Sequence, residues 1–233
     1  MKTSKLTIAL TLYLLAALIY FLPIAIPHKI AAALLIFFLF SIRSMPWRIS
    51  VALFFSFCGD LAGSFKAGST SSLPFMLQMG GFALAHIFYI LEFFHLRSVL
   101  EAKLRVGMQR GNAFERNALQ AALCIAVFIC SLFLILPHID ILYMQIAVAT
   151  YAALISIMLF SSLTCPRETG NAKILFLKLG AVLFVFSDLI LAINMFVVAV
   201  PGERYLIMVP YYAAQLQFFL YFALYPKYDN YAC

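Results

Sequence analysis

The chain has 233 residues, 65% of them hydrophobic and 11% charged, with a mean hydropathy of +1.02 and a formal net charge of +7. Soluble domains carry about 25% charged residues, so a soluble globular fold is excluded and the chain reads as an integral membrane protein. The surplus of 16 Lys and Arg over nine Asp and Glu would suit a nucleic-acid binder in a soluble chain, but its placement here follows membrane topology and no nucleic-acid partner is expected.

An apolar run of about 20 residues is long enough to cross a bilayer as a helix. The first runs from 6 to 26, inside "MKTSKLTIALTLYLLAALIYFLP". Its charged start and apolar body match a signal peptide, yet the apolar part continues with no A-x-A-like cleavage site before Pro23, so it is read as a retained helix. The second run, 29 to 43, is short. The third, 48 to 67, contains "FSFCGDLAGSF", and the fourth, 73 to 95, contains "AHIFYILEF". A basic stretch, "RSVLEAKLRVGMQRGNAFERN" at 97 to 117, is read as the one substantial loop, solvated or lying on anionic lipid. Further runs follow at 116 to 136, 139 to 162, 173 to 199 and 205 to 225, the seventh holding "LFVFSDLILAIN" and the eighth "PYYAAQLQFF".

The expected fold is therefore all-α, a polytopic membrane protein of about eight transmembrane helices forming one integral membrane domain. The loop at 97–116 divides it into halves of about 1–96 and 117–226, and an even number of helices per half makes the halves parallel. With a cytoplasmic N-terminus, thirteen of the 16 basic residues fall on the cytoplasmic side and only Lys29, Lys66 and Arg204 outside. That bias puts both termini in the cytoplasm. The lack of N-x-S/T sequons and of an organelle signal points to a bacterial inner membrane. The cysteines Cys58, Cys124, Cys130, Cys165 and Cys233 show no framework spacing and are read as packing residues.

Two acids interrupt the apolar runs, Asp60 and Asp188. An ionisable residue at a helix centre costs about 2.5–3.5 kcal/mol on insertion scales, so it faces the bundle interior and marks function. Counting 1.5 Å per residue places Asp60 roughly 18 Å and Asp188 roughly 20 Å from the cytoplasmic face, with His86 and Gln215 on the returning helices at roughly 15 Å. Ser56, Asp60 and Ser64 share one helix face, while Gly59 and Gly63 form a G-x-x-x-G for close helix approach. His86 and Tyr89 lie at i, i+3, as do Tyr212 and Gln215, and Tyr211 is four residues before Gln215. Taken singly, a buried His or Gln is more often an interhelical hydrogen-bonding residue, Tyr211 and Tyr212 also suit interfacial anchors, and Asn194 suits a helix end. Together with two acids they form a candidate site. No H-E-x-x-H, G-x-S-x-G or Walker sequence occurs, which removes support for a zincin, a serine hydrolase or a nucleotide motor. Asp60, Asp188 and His86 as single ligands on three helices are a weak metal signal, and no metal or cofactor is expected. Paired carboxylates in a low dielectric divide into one protonated and one ionised member, which suits chemistry through an oxocarbenium-like cation.

The elements "FSFCGDLAGSF", "GGFALAHIFYILEF", "GAVLFVFSDLILAINMF" and "PYYAAQLQFF", in this order, resemble the YhhN family of membrane proteins, whose characterised members are lysoplasmalogenases. The resemblance covers roughly residues 30 to 225. The turn "KAGSTSSLP" with Lys66, and the loop at 97 to 117, depart from the family pattern. By this likeness Asp60, His86, Tyr89, Asp188, Asn194, Tyr212 and Gln215 occupy the family's polar positions. The resemblance implies hydrolysis of the vinyl ether of lysoplasmalogen to a fatty aldehyde and glycerophosphoethanolamine or glycerophosphocholine. Asp60 and Asp188 would be catalytic, with His86, Tyr89, Asn194, Tyr211, Tyr212, Gln215 and Ser56 binding substrate. The expected partner is a lysophospholipid within the membrane, and no protein partner or oligomer is read from the chain. A small-solute or proton-coupled transporter is the alternative, disfavoured by the lack of Gly or Pro breaks in both the third and seventh helices.

Overall fold

The computed structural model describes residues 3–26, 28–65, 73–105, 113–166 and 173–224. Every regular element among them is helical: α1 (Thr3–Phe21), α2 (Lys29–Ser41), α3 (Trp47–Ser64), α4 (Leu73–Arg105), α5 (Ala113–Ile135), α6 (Leu142–Leu163), α7 (Ile174–Ala192) and α8 (Glu203–Leu224). A 3₁₀ turn, Leu136–His138, closes α5, and a π turn, Ile193–Val197, closes α7. Among the described residues six helices are long and apolar enough to cross a membrane. α2, at 13 residues, is about 20 Å long, short of a ~30 Å hydrocarbon core.

Breakers set the ends. Chain direction changes after α1 where Pro23 forbids a further turn, and Pro46 precedes the first residue of α3. Gly202 adopts φ +69° just before α8, a left-handed conformation that glycine reaches without a Cβ clash. Glu203 then sits in the first turn of α8, where a negative charge complements the helix dipole.

The stretch read as a loop at 97 to 117 is largely helix. α4 continues through Arg105 and α5 begins at Ala113, so only 106–112 lie outside the described residues. The extension has a physical basis: Leu96 and Leu100 are buried, Arg97 Nε donates to Glu101 Oε1 at 2.7 Å one turn on, and no Gly or Pro occurs before Gly107. The turn with Lys66 (66–72) and the C-terminal residues 225–233 lie outside the described residues.

Two compact units can be distinguished, Met1–Glu92 with Phe222–Cys233, and Phe93–Tyr221. In the first, α3 buries Ile49, Ala52, Leu53, Ser56 and Asp60 along one stripe, and Tyr13 of α1 stacks flat on Phe37 of α2 at 3.7 Å. In the second, polar side chains tie helices together: Ser162 Oγ of α6 donates to Leu177 O of α7 at 3.1 Å, and Gln120 Nε2 of α5 donates to Leu163 O of α6 at 3.1 Å. Such bonds join helices where apolar burial alone gives no preference between a neighbour and lipid.

Candidate functional site

In the first unit the polar residues named from the sequence are almost wholly buried. Ser56, His86 and Tyr89 are 0% exposed and Asp60 is 2% exposed. Asp60 lies on α3 directly after Gly59, and the absence of a side chain there brings α4 onto α3. A Cβ on Gly59 would stand 3.2 Å from Gln78 O and from the Phe82 ring, and one on Gly81 of α4 would stand 2.9 Å from Gly59 N. The close approach anticipated beside the acid thus occurs, with α4 as the partner. Tyr13 of α1 lies within electrostatic reach of both Asp60 and Tyr89, so three helices contribute to this polar group. Ser64, on the same face of α3 as Asp60, is engaged elsewhere: its hydroxyl donates to Leu61 O at 2.6 Å and shares a hydrogen bond with His28 Nδ1 at 2.5 Å.

Glu92, not among the residues named from the sequence, continues the α4 stripe of His86 and Tyr89 at the next i+3 step. It is 1% exposed and pairs with Arg48 of α3 across 3.4 Å. Arg48 also lies over the Trp47 ring, 5.3 Å from its centroid. A buried carboxylate beside a partly exposed guanidinium is a satisfied charge, and the i, i+3, i+6 continuation is the signal that would have found it.

In the second unit Asp188 is half-buried on α7 and Tyr151 of α6 donates its hydroxyl to Asp188 Oδ2 at 2.5 Å. Tyr151 is not among the residues named from the sequence; a Thr150–Tyr151 pair midway along the largely apolar α6 is the trace it leaves there. The pair borders a cavity of about 50 Å³ formed by α5, α6 and α7, with room for a water molecule of about 30 Å³. Its walls are mostly aliphatic, Val127, Val148, Ile155 and Val185 among them, and Ser131 and Ser156 supply the other hydroxyls. Ser131 donates to Val127 O of its own helix.

The serine before the acid sets the rotation of α7. Ser187 Oγ donates to Ile207 O of α8 at 2.8 Å, in the turn that precedes Pro210. A Cβ on Gly180 would stand 2.8 Å from the Phe218 ring and 3.2 Å from Ala214 O, and Phe184 packs edge-on against Tyr211 at 5.5 Å. With Ser187 turned to α8, its neighbour Asp188 is turned to α6.

The other residues named from the sequence on α8, Tyr211, Tyr212 and Gln215, are buried at 3%, 4% and 0% exposure, so the two tyrosines are interior rather than lipid-facing. None of them borders the Asp188 cavity. Asn194 uses both ends of its amide to hold the segment before α8: Nδ2 donates to Glu203 Oε2 and Oδ1 accepts from Val200 N.

Among the described residues no three His, Cys, Asp or Glu side chains lie together in a group able to hold a metal ion. Cys58, Cys124, Cys130 and Cys165 are free thiols, and Cys233 lies outside the described residues. Cys165, just beyond α6, is 1% exposed with its Sγ directed at Ser161 O and Phe93 O. Burial pushes its thiol up to about 12, against a smaller opposing effect of Lys178 and Arg97.

Comparison with known proteins follows the same elements. The YhhN family model matches residues 22–221. Lysoplasmalogenase TMEM86B of Rattus norvegicus is 30% identical over 189 residues, which span 78% of this chain and 65% of the rat protein. Lysoplasmalogenase TMEM86B of Mus musculus is 29% identical over 221 residues, 88% of this chain and 81% of the mouse protein. No solved structure matches the chain. The family match takes in α2 through most of α8, with both acids and every site residue named from the sequence, and the chain belongs to the YhhN family.

Proposed function

We propose that the protein is a membrane-embedded lysoplasmalogenase, hydrolysing the vinyl ether bond of a lysoplasmalogen to a fatty aldehyde and a glycerophospho-alcohol. Family membership supports the reaction class, and the observation that carries the chemistry is the Tyr151–Asp188 pair beside a small cavity in an aliphatic wall. A hydroxyl donating to Oδ2 leaves Asp188 as the acceptor, the form in which a carboxylate stabilises developing positive charge.

Cleavage begins with proton transfer to the alkenyl carbon remote from oxygen. The C=C electron pair forms the new C–H bond and the ether oxygen shares the positive charge left on its carbon. Water adds to that carbon and gives up a proton to a carboxylate, forming a hemiacetal, which collapses to aldehyde and the glycerol alcohol. The reaction needs one acid and one charge-stabilising base. In this reading Asp188 and Asp60 divide these two roles, with Asp188 beside its cavity as the stabilising carboxylate.

The test is aldehyde release by the purified protein in detergent, with lysoalkenyl, lysoacyl and diacyl lipids side by side. The lysoalkenyl lipid alone should yield aldehyde. Asp188→Asn and Asp60→Asn should each lower turnover by roughly 10²- to 10⁴-fold, the usual contribution of a positioned proton-transfer group, while both variants still insert. Near-normal turnover in both removes the two-acid mechanism. No aldehyde from the unaltered protein removes the activity itself and returns the transporter reading.

A further inference from the structure

The second unit holds a larger hollow than the one at Asp188. α5 offers Ala121, Cys124, Ile125 and Phe128, spaced i, i+3, i+4 and i+7 along one face. α6, running antiparallel after a short turn, answers with Ala153, Ser156, Ile157 and Phe160 at the same spacing. Between the stripes lies an apolar groove of about 360 Å³, within the roughly 300–1,000 Å³ of ordinary ligand sites. Alanines at 121 and 153 create the hollow, since facing helices with larger residues there would close it.

Two features select the occupant. Ser156 borders both the groove and the Asp188 cavity, so the two adjoin at this residue. Measured on α5, the combined strip runs from Ala121 to Ile135, about 21 Å at 1.5 Å per residue. One leaflet's share of a ~30 Å hydrocarbon core is about 15 Å, so the strip is long enough for one lipid chain plus the polar atoms at its head. A groove between a single pair of helices, whose axes lie about 8–10 Å apart, is one chain wide.

We infer that the α5–α6 groove is the hydrocarbon-chain subsite of the site at Asp188, taking the chain of a single-chain lysophospholipid with its ether end at Tyr151 and Asp188 and its tail toward Ala121 and Phe160. This rests on the reading of Asp188 as the reacting end. It accounts for selection of lyso over diacyl lipid by width, and it makes Ala121 the residue that limits chain length.

Two measurements separate this inference from the activity on which it rests. The first is photo-crosslinking of the purified protein with a lysophospholipid carrying a diazirine near its chain end, mapped by mass spectrometry. Adducts should concentrate on the facing residues of α5 and α6, be displaced by unlabelled lysolipid, and be lost in Ala153→Phe. The second is the ratio of kcat/KM for long-chain over short-chain lysoalkenyl lipid. It should fall at least about tenfold in Ala121→Phe, because one methylene too many for an apolar pocket already costs that much, and by less in Ala121→Leu. Displaceable α5–α6 adducts without aldehyde release uphold the groove and overturn the activity. Aldehyde release with an unchanged chain-length ratio overturns the groove, as do adducts spread evenly over lipid-facing helices or equal labelling by a diacyl probe.

Discussion

At the scale of single residues, Tyr151 is the clearest handle on Asp188. Removing its hydroxyl leaves the ring and the helix packing in place while taking one donor from the carboxylate. A hydrogen bond to a charged group contributes about 1.5–3 kcal/mol, so Tyr151→Phe should lower kcat by roughly 10- to 100-fold, with KM little changed because the ring still lines the cavity. A KM rise at constant kcat would instead make Tyr151 a substrate contact. Cys165 gives a second residue-level test. With its thiol pushed up to about 12 by burial, little thiolate exists near pH 7–8, so it should resist alkylation in folded protein and react once the protein is denatured; fast labelling of the native protein would show that the α6 end opens. The acids, the histidine and the α8 polar residues were legible because a polar residue in an apolar run stands out at a glance. Tyr151 was not, since a tyrosine is ordinary in a hydrophobic helix and only the rotation of α7, set by Ser187 on Ile207 O, reveals that it meets Asp188.

Elements expose a different contrast, between two adjacent glycines of α4. A Cβ at Gly81 would meet the backbone of Gly59 at 2.9–3.0 Å, whereas one at Gly80 meets nothing within 4 Å. Backbone cannot give way as a side-chain tip can, so Gly81→Ala must push α4 off α3 beside Asp60. Overpacking of this kind costs about 1–3 kcal/mol, to be read as a lower melting temperature in detergent and a smaller folded yield. Gly80→Ala should be neutral or slightly stabilising from helix propensity; equal losses in both variants would locate the sensitivity outside the α3–α4 contact. The sequence showed Gly59 and Gly63 as a close-approach motif but not which helix would use it, because pairing depends on the rotation of each helix. It also showed all eight helices by their apolar runs, and missed the length of α4 because a run of Arg, Glu and Lys reads as loop by hydropathy although its residues are good helix formers.

For the whole molecule, the number of crossings is the quantity that hydropathy leaves open. Six helices are long and apolar enough to span, while α2 is 13 residues and α3 carries Asp60, Ser56 and two glycines that lower its mean hydropathy. Crossing by both α2 and α3, or by neither, leaves the two termini on the same side, so locating the termini does not decide the matter. The turn between the two helices does. If the N-terminus is cytoplasmic, eight crossings put Arg43 and Arg48 on the cytoplasmic side together with the bases that follow α4, whereas six leave the stretch between α1 and α4 outside, with two arginines on the wrong side for the positive-inside bias. That bias favours eight, with α2 spanning through local thinning of the bilayer. The discriminating position is Arg43, which is exposed in the α2–α3 turn. Placed in a cysteine-free background, Arg43→Cys should react with a membrane-impermeant maleimide in inside-out vesicles and stay unlabelled in right-side-out ones; the reverse pattern, with the N-terminus found in the cytoplasm, would establish six crossings and put Asp60 outside the spanning helices.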